Sequence, residues 1–198
     1  FVEPDDVIGV VERLLVDLGA LAGWELEPPF LRLTYQEAMD RYGSDRPDLR
    51  FGMEIADVTV RAGETGFAVF GSAIDGGGVV RGLAVPGAGV GFTRKRFDAL
   101  TERARELGAG GLVWFKRADG RISGPAVKAL GEETAIALCE SIGAGDGDVA
   151  LVVAGPQPVA GDVLGGLRTE VAAEEGLIPE GEHAICWITR FPLLEWDA

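Results

Sequence analysis

Apolar positions recur at helical spacing near the start of the chain. In "EPDDVIGVVERLLVDLGALAG" (3–23), Val7, Val10, Val11, Leu14, Leu15, Leu18 and Leu21 repeat every three or four residues, which predicts a helix. Asp5 and Asp6 stand in its first turn, where negative charge suits the helix dipole, and Gly23 can end it. Pro28 and Pro29 then force extended chain over "WELEPPFLRL". The sequence "TYQEAMDRYG" predicts a second helix, opened by a Thr34/Glu37 capping box and closed by Gly43. "SDRPDLRFG" (44–52) is a polar loop. Its charges of both signs make Ser44, Asp45, Arg46, Asp48 and Arg50 candidates for a functional or interface turn, although local ion pairing explains them equally well.

After Gly52 glycine becomes frequent and short apolar runs replace the long stripes. "GFAVFGSA" and "VVRGLAVPG" read as two strands around the "DGGG" turn, residues 75–78. "TRKRFDALTERARELG" predicts a helix with Phe97, Leu100, Ala104 and Leu107 inward and Arg94, Lys95, Arg96, Arg103 and Arg105 outward. "GLVWFKR" (111–117) is a strand ended by an Asp119–Gly120 turn. "SGPAVKAL" is a short helix with Ser123 as its N-cap. "EETAIALCESIG" is a helix and "GDVALVVAG" (147–155) a buried strand. The order ββαβαβ predicts a two-layer α+β unit, a mostly antiparallel sheet with helices on one face. "VAGDVLGGLRTEVAAEEGLI" (159–178) returns to a long helix, and "HAICWITRFPLL" (183–194) reads as one long, mostly buried strand. The two ends share a texture that the middle lacks. We therefore divide the chain into an inserted domain, 53–157, between two pieces of a larger fold, 1–52 and 158–198.

The length of 198 residues suffices for one large domain or two small ones, burying about 70% of the unfolded surface. No apolar run approaches the ~20 residues that span a bilayer, so no membrane partner is expected. Cys139 and Cys186 stand in apolar surroundings and read as reduced core thiols, which points to the cytoplasm. His183 is the only histidine, and no cysteine pair has ligand spacing, so no metal ligand is named. The net charge of −14 rules out nucleic-acid binding by the bulk field. The charge is uneven, however. Residues 94–128 carry nine basic and four acidic side chains, and all three lysines. Arg94, Lys95, Arg96, Lys116, Arg117 and Lys128 are therefore the candidates for phosphate contact.

"GAGVGFTRKRF" (87–97) has the look of a phosphate-cradling loop. The spacing is not Gly-x-Gly-x-x-Gly, and no acidic residue closes a following strand about 20 residues on. It reads instead as a Pro86–Gly87 turn and a helix capped by Thr93. "GAGDGD" (143–148) carries two aspartates that would repel phosphate, and reads as a helix-end turn.

At "PFLRLTYQEAMDRYGSDRPDLRFG" (29–52) the chain resembles bacterial-type aspartyl-tRNA synthetase, a class II enzyme. "FVEPDDV" resembles the helix that follows the family's second signature motif. "FTRKRFDAL", "GLVWFKR", "SGPAVKAL" and "GDVALVVAG" resemble its GAD insertion domain, and "VLGGLRTEVAAEEGLI" and "WITRFPLLEW" the return into its catalytic sheet. The family has Lys where this chain has Arg46, and Asp where it has Arg190, a charge reversal beside the catalytic sheet. The family's third motif follows the "FPLLEW" strand, whereas "GAGVGFTR" precedes it and has Thr93 in place of an acidic residue, so that match is coincidental.

The resemblance implies a GAD domain set into an incomplete class II antiparallel-sheet catalytic domain. It implies a parent enzyme that activates aspartate with ATP and Mg²⁺ and transfers it to tRNA, the aspartate tRNA first and the asparagine tRNA as a further candidate. A homodimer is implied for the parent. The segments that carry the family's catalytic groups fall outside these 198 residues, so no catalytic or cofactor-binding residue is named, no cofactor is expected on the chain, and the chain alone is expected to be inactive. The alternative is a stand-alone or degenerate GAD-type tRNA-binding module without ligase activity.

Overall fold

The computed structural model of the chain describes residues 1–194. Helix α1 (Pro4–Leu21) starts with Pro4 in its first turn and a reciprocal capping box between Glu3 and Asp6. Only part of its apolar stripe is covered: Glu12 and Gly19 are buried, whereas Val7, Val10, Leu14, Leu18 and Leu21 are exposed. Strand β1 (Leu31–Thr34) leads directly into α2 (Tyr35–Tyr42), whose Thr34/Glu37 capping box and left-handed Gly43 cap match the sequence expectation. β2 (Ile55–Asp57), α3 (Thr59–Gly63), α4 (Ala68–Asp75) and β3 (Val79–Val85) follow. Then come α5 (Ala88–Gly91), α6 (Arg94–Glu106), β4 (Val113–Ala118) and β5 (Arg121–Ser123). The last described elements are α7 (Val127–Leu130), α8 (Glu132–Ile142), β6 (Val149–Gly155), α9 (Gln157–Glu174) and β7 (Cys186–Thr189).

Five strands form one antiparallel sheet in the order β2-β3-β6-β4-β5. Of its three inner strands, β3 and β6 are apolar but for Arg81 and are buried on both faces. On β6, Val149, Leu151 and Val153 point into a core closed by α5, α6 and α9, while Ala150 and Val152 point into a second core closed by α3, α4, α7 and α8. Each buried Val or Leu contributes about 1.5–3 kcal/mol relative to exposure, so both faces need a cover. Helices on one face, as expected from the order of elements, would have left half of these side chains wet. The unit has three layers, not two.

Five further expectations are corrected. Residues 66–73 do not form a strand: Phe67, Phe70 and Ile74 meet the second core at helical spacing, and α4 is the result. Ser123 is not a helix cap but the last residue of β5, a short strand that pairs back on β4 through the left-handed Asp119 and Gly120; α7 begins after Ala126. The element order is therefore richer than ββαβαβ. The long strand expected over 183–194 shrinks to the half-buried Cys186–Thr189, because Arg190 turns left-handed at φ 55° and breaks the extended run. β7 pairs with β1 in parallel, Leu31 opposite Cys186, so the one strand pair described outside the five-stranded sheet is not antiparallel.

Candidate functional site

The loop after α2 holds five of the sequence candidates, and the structure turns most of their charge inward on the loop itself. Ser44 Oγ accepts from the Arg46 amide at 3.1 Å. Asp48 accepts from the Arg50 amide at 3.1 Å and from its guanidinium at 3.0 and 2.7 Å. That guanidinium holds the Asp48 carboxyl below the usual aspartate value, against the opposing effect of partial burial. Asp45 lies 3.5 Å from Arg46, whose side chain is 91% exposed. Arg41 makes a two-pronged pair with Glu54 at 2.9 and 2.6 Å beyond the loop, and its hydrogen bonds lower the Glu54 carboxyl.

What fixes this loop is a residue that sequence reasoning missed. Arg168 on α9 is only 1% exposed. Its Nε donates to the Met53 carbonyl at 3.0 Å, and one terminal nitrogen lies at 2.7, 3.1 and 2.9 Å from the carbonyls of Asp48, Phe51 and Gly52. The guanidinium packs 4.1 Å from the Phe51 ring centroid and 5.0 Å from that of Tyr42. Burial lowers its pKa, opposed by Tyr42, Asp48 and Glu54. The available signal was a lone arginine in a helix of small and apolar residues, "VAGDVLGGLRTEVAA".

Beside Arg168, α2 and α9 meet backbone to backbone. A Cβ on Gly43 would stand 2.2 Å from the Gly161 carbonyl oxygen, and one on Gly165 would stand 2.6 Å from that of Gly43. Arg81 on β3, also buried, ties α2 to the sheet through Asp40 at 2.7 Å.

The six phosphate-contact candidates divide between the two faces of the sheet. Arg94, Lys95 and Arg96 form the first turn of α6, and Lys116 joins them by donating from Nζ to the Phe92 carbonyl at 3.1 Å. Arg117 points to the other face, where it donates to the Ala144 carbonyl at 2.9 Å and lies 3.6 Å from Glu140. Lys128 stands on α7, on that same face. Arg94 pairs with Asp98 at 3.2 Å, and Arg96 with Glu174 of α9. Lys95 pairs with no carboxylate among the described residues. Three cations in a first turn without an acid oppose the helix dipole, at about 0.3–1 kcal/mol each. Their positive field adds to that of the helix end, an arrangement that suits an anion.

The glycine-rich turn before α6 is not a phosphate cradle, as its sequence suggested. Two of its amides are already used: Gly87 N–H donates to Asp148 at 2.9 Å and Gly89 N–H to the Gly147 carbonyl at 2.7 Å. Gly89 is needed because a Cβ there would lie 2.3 Å from the Arg117 carbonyl oxygen. Thr93 caps α6, accepting from the Arg96 amide. In "GAGDGD", Asp148 also accepts from Gly145 and Asp146 from Gly120, so both aspartates tie turns together.

Tryptophans serve packing. Trp114 stacks on Phe97 at 3.8 Å, Trp24 on His183 at 3.9 Å, and Trp187 donates to the buried Glu12 at 2.9 Å. Trp196, with the end of the "FPLLEW" segment, lies outside the described residues. Among the described residues no group of three His, Cys, Asp or Glu side chains converges as a metal site, and no helix is long and apolar enough to cross a membrane.

Comparison with known proteins places this geometry. Residues 70–164 match the family model described as GAD domain. The whole chain is 43% identical to the aspartate–tRNA(Asp/Asn) ligase of Caldanaerobacter subterraneus subsp. tengcongensis, covering 33% of that protein. It is 41% identical to the aspartate–tRNA(Asp/Asn) ligase of Bacillus cereus and 40% identical to the aspartate–tRNA ligase of Geobacillus kaustophilus, covering 34% of each. The chain thus spans about a third of the length of the curated relatives it matches, and the similarity runs through α1 and β7 as well as the GAD domain. Over its whole length the chain is similar to bacterial aspartate–tRNA ligases, as a stretch that contains the GAD domain match and the segments on either side of it.

Proposed function

We propose that this chain is the GAD-bearing part of an aspartate–tRNA ligase that acts in the cytoplasm as a homodimer. The parent joins aspartate to tRNA with ATP and Mg²⁺, the aspartate tRNA being its first substrate and the asparagine tRNA a further one. Residues 1–52 and 158–198 are read as pieces of its class II catalytic domain. What supports this reading is the 40–43% identity over all 198 residues. No step is assigned to ATP or Mg²⁺ on this chain. Its own contribution is positional: it orients tRNA beside a centre built by other segments.

Within that role the tRNA-facing surface is the first turn of α6, with Arg94, Lys95 and Lys116. The chain alone is expected to show no aspartate-dependent ATP–pyrophosphate exchange but to retain salt-dependent affinity for tRNA. Changing Arg94→Glu and Lys95→Glu together should remove about two phosphate contacts, lowering the slope of log K against log salt by roughly 1.5–2. An unchanged affinity and slope would reduce the cluster to a solvated helix face. Exchange by the isolated chain would refute the assignment of chemistry to other segments.

A further inference from the structure

Helix α9 carries specific contacts in two directions. Toward α6 it presents Glu170 and Glu174. Glu170 receives Arg103 through three hydrogen bonds of 2.6–3.0 Å, and Glu174 receives Arg96. Toward α2 and its loop it presents Gly161, Gly165 and Arg168. The basic turn of α6 is therefore joined to segment 48–53 through a single helix, with no gap in the series of contacts.

The choice of arginine at 168 demands a reason. A buried cation is costly, and no carboxylate hydrogen-bonds to this one. Asp48 and Glu54, the nearest acids, fork onto Arg50 and Arg41 instead. A methionine of similar volume would fill the space. What arginine adds is a planar set of donors that reaches four carbonyls spread over residues 48–53, and a flat face for Phe51 and Tyr42. Lysine has neither the spread nor the face.

We propose that Arg168 is a positioning residue for tRNA charging. It locks segment 48–53 to α9, so that the basic end of α6 and the α2 unit form one body and tRNA held at α6 is delivered at a fixed distance from the catalytic segments. This rests on the ligase reading above. The residue touches neither tRNA nor aspartate; it acts through the loop and the helix.

The test uses the full-length ligase, with Arg168→Lys and Phe51→Leu compared with the unaltered enzyme. Two rates are measured: ATP–pyrophosphate exchange without tRNA, and tRNA aminoacylation. In Arg168→Lys, exchange should stay within twofold. Aminoacylation kcat should fall at least tenfold, while the KM for tRNA changes less than threefold because Arg94 and Lys95 are intact. Phe51→Leu removes the stacked ring and keeps the donors, so it should show the same split at about a third of the size. It decides the matter if Arg168→Lys does not fold. A folded variant with unchanged charging would overturn the proposal. So would exchange and charging falling together, which would mark Arg168 as structural only. An unaltered enzyme without either activity would overturn the ligase reading, and the proposal with it.

Discussion

Replacing Gly165 with alanine isolates the contact on which α2 and α9 meet. The added Cβ would stand 2.6 Å from the Gly43 carbonyl oxygen and 2.8 Å from that of Tyr42. Both are backbone atoms at a helix C-terminus, where no rotamer change can make room. Overpacking of this kind costs typically 1–3 kcal/mol, and a rigid neighbour puts the cost at the upper end. Alanine recovers about 1 kcal/mol of helix propensity within α9. The net loss is about 2 kcal/mol, or roughly 4–8 °C in Tm for a chain of this size. Gly9 supplies the control: it lies inside α1, and a methyl group there would meet nothing within 4 Å. Gly9→Ala should raise Tm by roughly 2–4 °C through propensity alone. Thermal denaturation followed by circular dichroism reads both. If Gly165→Ala is as stable as the parent chain, the helices do not meet on their backbones and the rigid junction argued above is wrong.

Acid should act through four carboxylates. The Thr34 amide and hydroxyl lower Glu37, Arg50 lowers Asp48, Arg41 lowers Glu54, and against its partial burial Asp40 is lowered by hydrogen bonds from Arg81 and Gln36. A group lowered in the fold adds stability that is complete above its unfolded pKa and is lost as pH falls through its folded one. The urea midpoint should therefore hold above about pH 5 and decline below it, and Glu54→Gln should make the decline shallower; an equally steep decline would remove Glu54 from the account. The thiols should differ as well. Burial pushes Cys139 up to about 12, whereas Cys186 is only half-buried and its pKa is raised by burial to a lesser depth in the fold. At pH 8 a disulfide reagent should titrate Cys186 first and Cys139 only on unfolding, and simultaneous reaction in the native protein would contradict the buried placement of Cys139.

Much of the fold is legible wherever the cause is local. The Thr34/Glu37 box, the Gly43 cap, the Thr93 cap and the Asp119–Gly120 turn each depend on a few neighbouring atoms, and each stands where the residues place it. Segment 66–75 misleads because Phe67, Phe70 and Ile74 look equally apolar at a period of two or of 3.6 over so short a run. The second helical layer is implicit in "VVRGLAV" and "VALVVAG": strands apolar on both sides need cover on both sides. The candidate site is half legible. Local charge density finds the first turn of α6, but it does not show that Arg117 and Lys128 face the other way, which depends on strand alternation and on which helix covers each face. Arg168 shows in the sequence only as a lone arginine among small and apolar residues; its role does not, because its partners are main-chain carbonyls more than a hundred positions away, and a carbonyl leaves no trace in residue identity.

The pairing of β1 with β7 bears on how the chain is made. Thr189 donates to the Leu33 carbonyl across 156 positions of sequence. Closing so long a loop from an unstructured chain costs about 4 kcal/mol in entropy alone. On a ribosome adding roughly 5–20 residues per second, β1 waits many seconds for its partner to be synthesised. The five-stranded unit lies wholly between them, and once folded it brings the end of α2 against the start of α9 through Gly43 and Gly161. Most of the search is then already over, and only the short tether from α9 to β7 remains to be closed. The five-stranded unit would thus act as an internal template for the strand pair that encloses it in sequence, and a variant that slows its folding should leave β1 open to wrong partners during synthesis.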